Sequence, residues 1–160
     1  MVIFEQVFRD LLIQTNLVEK RAFLWRAPQV PADQQKTPYM VFFHVGPEPL
    51  HAHSGPLGLL QRTYQVSIFD VGQTRAIAIA DSLRGALDGY RGEYEGVLFG
   101  LIAYRNQTSE HEQLTKLFHV VQEYRILYRL TDHVQPAAPN RNTNRKESPH
   151  GNRSFGTTGN

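Results

Sequence analysis

The run TKLFHVVQEYRILYR, residues 115–129, limits the fold more than any other part of the chain. Phe118, Val120, Gln122, Tyr124, Ile126 and Tyr128 fall on one side of an extended backbone, and His119, Val121, Glu123, Arg125, Leu127 and Arg129 on the other. A period of two marks a strand, because successive side chains leave a pleated chain on opposite faces. The first set belongs to a core. The second is mixed and charged, so it faces solvent or another chain, and Arg125 and Arg129 are interface candidates.

Other segments supply its neighbours. Residues 97–105 read as a shorter strand, joined to 115–129 by a polar turn at 106–113. In 60–71, Tyr64, Val66 and Ile68 alternate with Gln65 and Ser67, again with one buried face. Tyr39–Val45 (YMVFFHV) is almost continuously apolar, the pattern of a strand covered on both sides. These two form an antiparallel hairpin with a long Gly/Pro/His tip over 46–58. Residues 22–27 are a short apolar run stopped by Pro28, as an edge strand is. The polar, proline-punctuated 28–38 is loop.

Two helices complete the pattern. Phe4, Val7, Phe8, Leu11 and Leu12 recur at i, i+3, i+4, i+7 and i+8, which predicts a helix over 3–14 ending at Asn16. Burying that stripe contributes on the order of 8–15 kcal/mol, an upper bound because the unfolded chain is already partly collapsed. Gln73 or Thr74 caps a second helix running to about Asp88. Its apolar side is Ala76, Ala80, Leu83 and Leu87, with Ile77 beside it, and Gly89 closes it. Residues 90–96 read as a turn-rich connection. The sum is an α+β fold: a two-layer sandwich, with a mainly antiparallel four- to five-stranded sheet carrying two helices on one face.

Composition changes abruptly after Leu130, which puts the domain at 1–132 and an extended C-terminal arm at 133–160. The arm is rich in Asn, Pro, Gly, Ser and Arg, and its sizeable apolar side chains are Val134 and Phe155. Burying both yields ~3–6 kcal/mol, whereas fixing backbone costs ~1–2 kcal/mol per residue. The arm is not expected to fold alone. It holds Arg141, Arg145, Lys146 and Arg153 against Glu147, so it carries +3 of a net charge of +2 and leaves −1 for the rest.

The bulk numbers exclude more than they assign. At 160 residues, 41% hydrophobic and 20% charged, the chain suits one globular domain. It has no cysteine, so disulfide staples, Cys-ligated zinc and thiol catalysis are out. The apolar first turns carry Glu5, Arg9 and Asp10, unlike an export leader. No stretch approaches the length of an uncharged membrane span. Synthesis and residence in a reducing cytoplasm are expected.

Candidate chemistry is sparse. His51 and His53, with Glu48 nearby, are spaced so that both histidines can reach one metal, but no third ligand accompanies them. An exposed loop tip explains them as well, and with Leu50 and Leu57 they make the tip a candidate contact surface. His44 and His119 fall in strands without a Ser or Asp at a motif spacing, as packed or interface residues do. Asp81, Asp88, Glu93 and Glu95 straddle a helix end and a turn, where carboxylates are ordinarily solvated. Gly85, Gly89 and Gly92 are spaced as turn and cap residues, not as a phosphate loop. No metal, cofactor or catalytic residue is expected. The basic arm can follow phosphates or an acidic protein surface, yet Phe155 is its one aromatic, so base stacking is weak. An assembly arm in which Arg141, Arg145, Lys146, Arg153 and Phe155 make contacts is the better fit.

Taken in order, FEQVFRDLL, the segment ending WRAPQ, the proline-led TPYMVFFHV, LLQRTYQVSIFD, AIAIADSLRGALDGYRG and the closing YRILYRL resemble the tail completion (tail terminator) family of long-tailed bacteriophages. The resemblance spans residues 1–130 and rests on a succession of elements and short phrases. It implies a non-enzymatic structural virion protein that forms a ring, commonly a hexamer, at the head-proximal end of the tail. There the ring ends tail-tube growth and meets the tube protein on one side and a head or neck connector or stopper on the other. DNA would pass through without specific binding, and no active-site residues transfer. Two other functions stay open at this point: another neck protein of the same particle, and a small nucleic-acid-binding module that uses the arm.

Overall fold

Phe4, Val7, Phe8, Leu11 and Leu12 are all buried along one side of helix α1, Phe4–Gln14, as a 3.6-residue stripe requires. Asn16, at φ 57°, turns the chain out of it. A computed structural model describes residues 2–31, 34–46 and 59–131 of the chain. After α1 come β1 (Ala22–Leu24), β2 (Tyr39–Val45), β3 (Leu60–Asp70), helix α2 (Gln73–Leu87), β4 (Gly92–Tyr94), β5 (Val97–Glu112) and β6 (Leu117–Leu130).

The strands make a single sheet in the order β1-β2-β3-β6-β5-β4. The α+β class and the two helices match expectation, and the sheet differs in detail. Among the described residues it has six strands, not four to five. The added strand, β4, lies within the stretch expected to be only turns. Its partnership with β5 is set by Glu95 and Gly96, both at positive φ. A Cβ on Gly96 would come within 2.9 Å of Val2 Cγ2. The pairing of β1 with β2 is parallel, whereas all the others are antiparallel. β1 ends at Leu24, short of the expected 22–27, because Trp25 takes a positive φ of 69°.

A larger difference concerns the expected polar turn at 106–113. β5 runs through it to Glu112, paired with β6 as far as Leu117, and the true turn is 113–116. This stretch is exposed on both faces and held by its ladder of main-chain hydrogen bonds, so no burial pattern marks it. Two register shifts, between Phe99 and Leu101 and between Tyr104 and Asn106, place one extra residue each in β5 against an unbroken β6.

The core lies between the helices and one face of the sheet. Phe4 stacks on Tyr128 at 3.9 Å between centroids, and Phe8 meets the edge of Phe42 at 5.5 Å. Ala76, Ile79, Ala80, Leu83 and Leu87 seat α2 on β3, β6 and β5. The residue at the helix N-terminus is Gly72, without a side-chain cap, where Gln73 or Thr74 was expected.

Polar groups on this face are paired across elements. Glu5 accepts from Arg62 Nη1 (3.1 Å) and from the Tyr64 hydroxyl (2.8 Å), tying α1 to β3. Burial holds the Tyr64 phenol above its ordinary range, with the Glu5 carboxylate adding to the effect. Gln122, fully buried, donates to Ala80 O (2.9 Å) and to Gln107 Oε1 (2.8 Å), and accepts from the Tyr124 hydroxyl (2.7 Å). Asp70, also fully buried, sits 3.6 Å from Arg75 Nε where β3 hands over to α2. Among the described residues no helix is long and apolar enough to cross a membrane.

Candidate functional site

Both helices sit on one face of the sheet, so among the described residues the other face has no helical cover. Directly opposed residues share a face, and the register lays out three rows on the open side. Tyr39, Phe69, His119 and Glu110 form the first, and Val41, Ser67, Val121 and Thr108 the second. Phe43, Gln65, Glu123 and Asn106 form the third.

The first row is a stack. Tyr39 and Phe69 lie 4.8 Å apart at 13°, and Phe69 and His119 lie 4.2 Å apart at 11°. Tyr39, Val41 and Leu117 are buried as a second apolar cluster, with Phe23, Ala27, Phe43 and Phe69 against it. Their cover is partial. The chain leaving β1 arches over them, and between it and the sheet lies a groove of about 580 Å³ whose walls include Trp25, Phe43, Phe69, Leu117 and His119. Trp25 stacks on Phe43 at 5.7 Å yet is 64% exposed at the rim. Leu114, in the β5–β6 turn, is 94% exposed.

His119 reports on the character of this groove. Burial lowers its pKa from the ordinary histidine range, and Glu110 and Glu112 oppose that shift. Its Nε2 is buried without a hydrogen-bond partner. The ring serves as a flat packing surface against Phe69. His44 likewise sets its edge against Tyr64 at 5.7 Å. Of the acidic residues considered for chemistry, Asp88 accepts from Tyr104 N (3.0 Å), fastening the end of α2 to β5, while Asp81, Glu93 and Glu95 are exposed. Among the described residues no three His, Asp or Glu side chains are grouped as a metal ion requires.

The interface candidates divide sharply. Arg125 and Arg129 are half-buried on the open face, opposite Ala103 and Leu98, and so belong to one surface with the groove. They are not in it: Arg125 lies six residues along β6 from His119, roughly 20 Å. Glu48, Leu50, His51, His53 and Leu57 of the hairpin tip lie outside the described residues, as do Arg141, Arg145, Lys146, Arg153 and Phe155 of the arm. The aromatic groove itself was not foreseen. Its walls come from separate segments, and the available signal was YMVFFHV, whose apolar residues on both faces require cover on both.

No family model matches the sequence, and no curated protein does. Solved structures do match. A chain from the virion of a native gene transfer agent (GTA) particle shares the fold at a TM-score of 0.56 and 13% identity, over 80% of this chain and 98% of that one. A second solved chain, at 14% identity, covers 78% of this one and 88% of itself, and its TM-score of 0.44 is too low to carry an argument. At these identities the likeness is one of fold.

Proposed function

We propose that this chain is a structural virion protein, not an enzyme, and that it assembles with copies of itself into a ring of six at the head-proximal end of a phage-like tail. In that place it ends growth of the tail tube and joins the tail to the head or neck. The observation that carries the proposal is the shared fold, which takes in nearly the whole of a chain whose own setting is a virion. That supports the coarser part, a structural component of a phage-like particle. The finer part, a terminator ring, rests on the succession of elements over residues 1–130.

The open sheet face supports assembly on physical grounds. A monomer gains nothing by leaving Trp25 64% exposed beside a groove walled by Phe43, Phe69 and Leu117. Contiguous apolar surface of this kind is stabilised when a second chain covers it. Heterologous contacts that close by rotation give a ring. The partners in this reading are further copies of the chain, the tube protein and a connector or stopper, with DNA passing through unread. No membrane takes part. The protein is made in the host cytoplasm and ends in the virion.

Position and stoichiometry in a purified particle test the proposal. Six copies between tube and neck in a reconstruction is the expected result. Copies distributed along the tube, or none, would remove it. Copies on the head side of that joint would instead make the chain a stopper or connector.

A further inference from the structure

A sheet has two edges, and the two are finished differently here. At one, β1 is three residues long and Arg9 Nε of α1 donates to Ala22 O at 2.8 Å, filling an outward carbonyl. At the other, β4 and the residues before it cover only the first half of β5. Gly89 N donates to Ile102 O (2.8 Å), Ile102 N to Tyr90 O (3.0 Å), and Tyr104 N to the Asp88 carboxylate.

Beyond Tyr104 the cover stops, and β5 continues to Glu112. Main-chain groups in an antiparallel strand point alternately to its two sides. Counting through the register shift after Tyr104, the outward ones belong to Gln107, Ser109 and His111. Gln107 N is capped by its neighbour Asn106 Oδ1 at 2.8 Å, and among the described residues Ser109 N and His111 N have no such side-chain cap. Among the described residues this is the long strand edge without a partner strand, and an edge of that kind is a template for another chain.

We propose that the outer edge of β5, residues 105–112, takes residues 140–148 of a second copy as an added antiparallel strand. This deepens the assembly reading above and rests on it. Charge favours the pairing. Glu110 and Glu112 lie on the open face of the edge, and Glu123 is one strand inward, opposite Asn106. Residues 140–148 hold Arg141, Arg145 and Lys146 against Glu147, in a run with no proline between Pro139 and Pro149. Arg141 and Arg145 are four apart, so both fall on one face of a strand, the face that meets the glutamates.

Geometry favours a neighbour's segment over the chain's own. Thr131 N donates to Gly96 O, so the chain leaves the sheet at the far end of β5 from Glu112. From there its own arm must pass β4 and would run parallel to β5. A neighbour's arm can enter from the other end and pair antiparallel, the more stable arrangement.

The full chain at tens of micromolar, followed by sedimentation velocity, tests this. E110K/E112K is expected to weaken self-association at least tenfold at low salt, and R141E/R145E added to it to restore most of the loss. Ser109→Pro, which an edge strand tolerates, is expected to weaken association with circular dichroism unchanged. The chain has no cysteine of its own, so single variants Ser109→Cys and Asn144→Cys, which the antiparallel pairing sets opposite one another, should give a disulfide-linked dimer when mixed and oxidised. A link forming only when both cysteines are on one chain overturns the proposal. Oligomers that survive deletion of 133–160 overturn strand addition and leave the ring reading standing. A full chain that remains monomeric overturns both.

Discussion

Gln122→Leu is expected to destabilise the domain by ~2–3 kcal/mol, and most of that loss should come from a different residue. Leucine fills nearly the same volume, so the cavity cost is small. The loss arises because the Tyr124 hydroxyl, in a fully buried residue, gives up the Gln122 Oε1 acceptor it holds at 2.7 Å. A buried polar group left without a partner costs ~1–3 kcal/mol. The other two contacts matter less: Ala80 O remains within its helix, and Gln107 is half-buried and can turn to water. Tyr124→Phe alone should cost ~1–2 kcal/mol, by orphaning Gln122 Oε1 instead.

The double variant discriminates. With both partners gone, neither group is orphaned, so Q122L/Y124F should lose no more than Q122L alone. Urea unfolding at one fixed protein concentration measures this as a shift in midpoint with unchanged slope. In thermal unfolding, Q122L corresponds to a fall of roughly 6–12 °C for a domain of this size. A double variant that loses the full sum of the single losses would show that the hydroxyl and the amide do not depend on one another, and the reasoning would fail.

Phe8→Ala removes a fully buried ring packed on Phe4, Phe42 and Tyr64, and should cost ~3–5 kcal/mol in the same assay. Gly96→Ala should cost ~1–3 kcal/mol, since its φ is +79° and the new Cβ meets Val2 Cγ2; a neutral result would mean the β4–β5 turn is not as described. His119 has a folded-state pKa below its unfolded value because burial disfavours the imidazolium. The unfolded chain therefore binds the proton first, so stability is full above about pH 6.5 and falls as the pH drops through the folded pKa. His119→Gln should flatten that part of the curve, and an unchanged slope would contradict it. Trp25 is the chain's only tryptophan. Its emission should shift to the blue on self-association if the groove is covered, and stay put if copies meet elsewhere.

How much of this was legible in the sequence depended on whether burial or pairing holds each segment. The stripe from Phe4 to Leu12 and the alternation of Tyr124, Ile126 and Tyr128 were readable, because one-sided burial imprints its period on side-chain choice. The outer half of β5, Arg-Asn-Gln-Thr-Ser-Glu-His-Glu, has no buried side and is kept extended by β6, so its composition is that of a loop. β4, three residues containing Gly92, is too short to have a period. The parallel pairing of β1 with β2 depends on the path of the chain between them, which local composition does not encode. The open face was half legible: the alternation puts Arg125 and Arg129 on a mixed, charged side that faces solvent or another chain. The stack of Tyr39, Phe69 and His119 needs the register of three strands to be known.

The second register shift of β5 acts as a reading frame. Thr108, Glu110 and Glu112 face the open side, and Gln107, Ser109 and His111 the helix side, only because one extra residue is spent between Tyr104 and Asn106. Deleting Arg105 would only heal the shift, since Asn106 would still follow Tyr104 opposite Glu123, whereas deleting Thr108, beyond the shift, would exchange the residues after it and carry the glutamates to the opposite side. Everything before Tyr104, including the buried Phe99 and Ile102, would keep its place. The distal hairpin can therefore be given a new contact surface by a single-codon deletion, while the domain that supports it goes on folding as before.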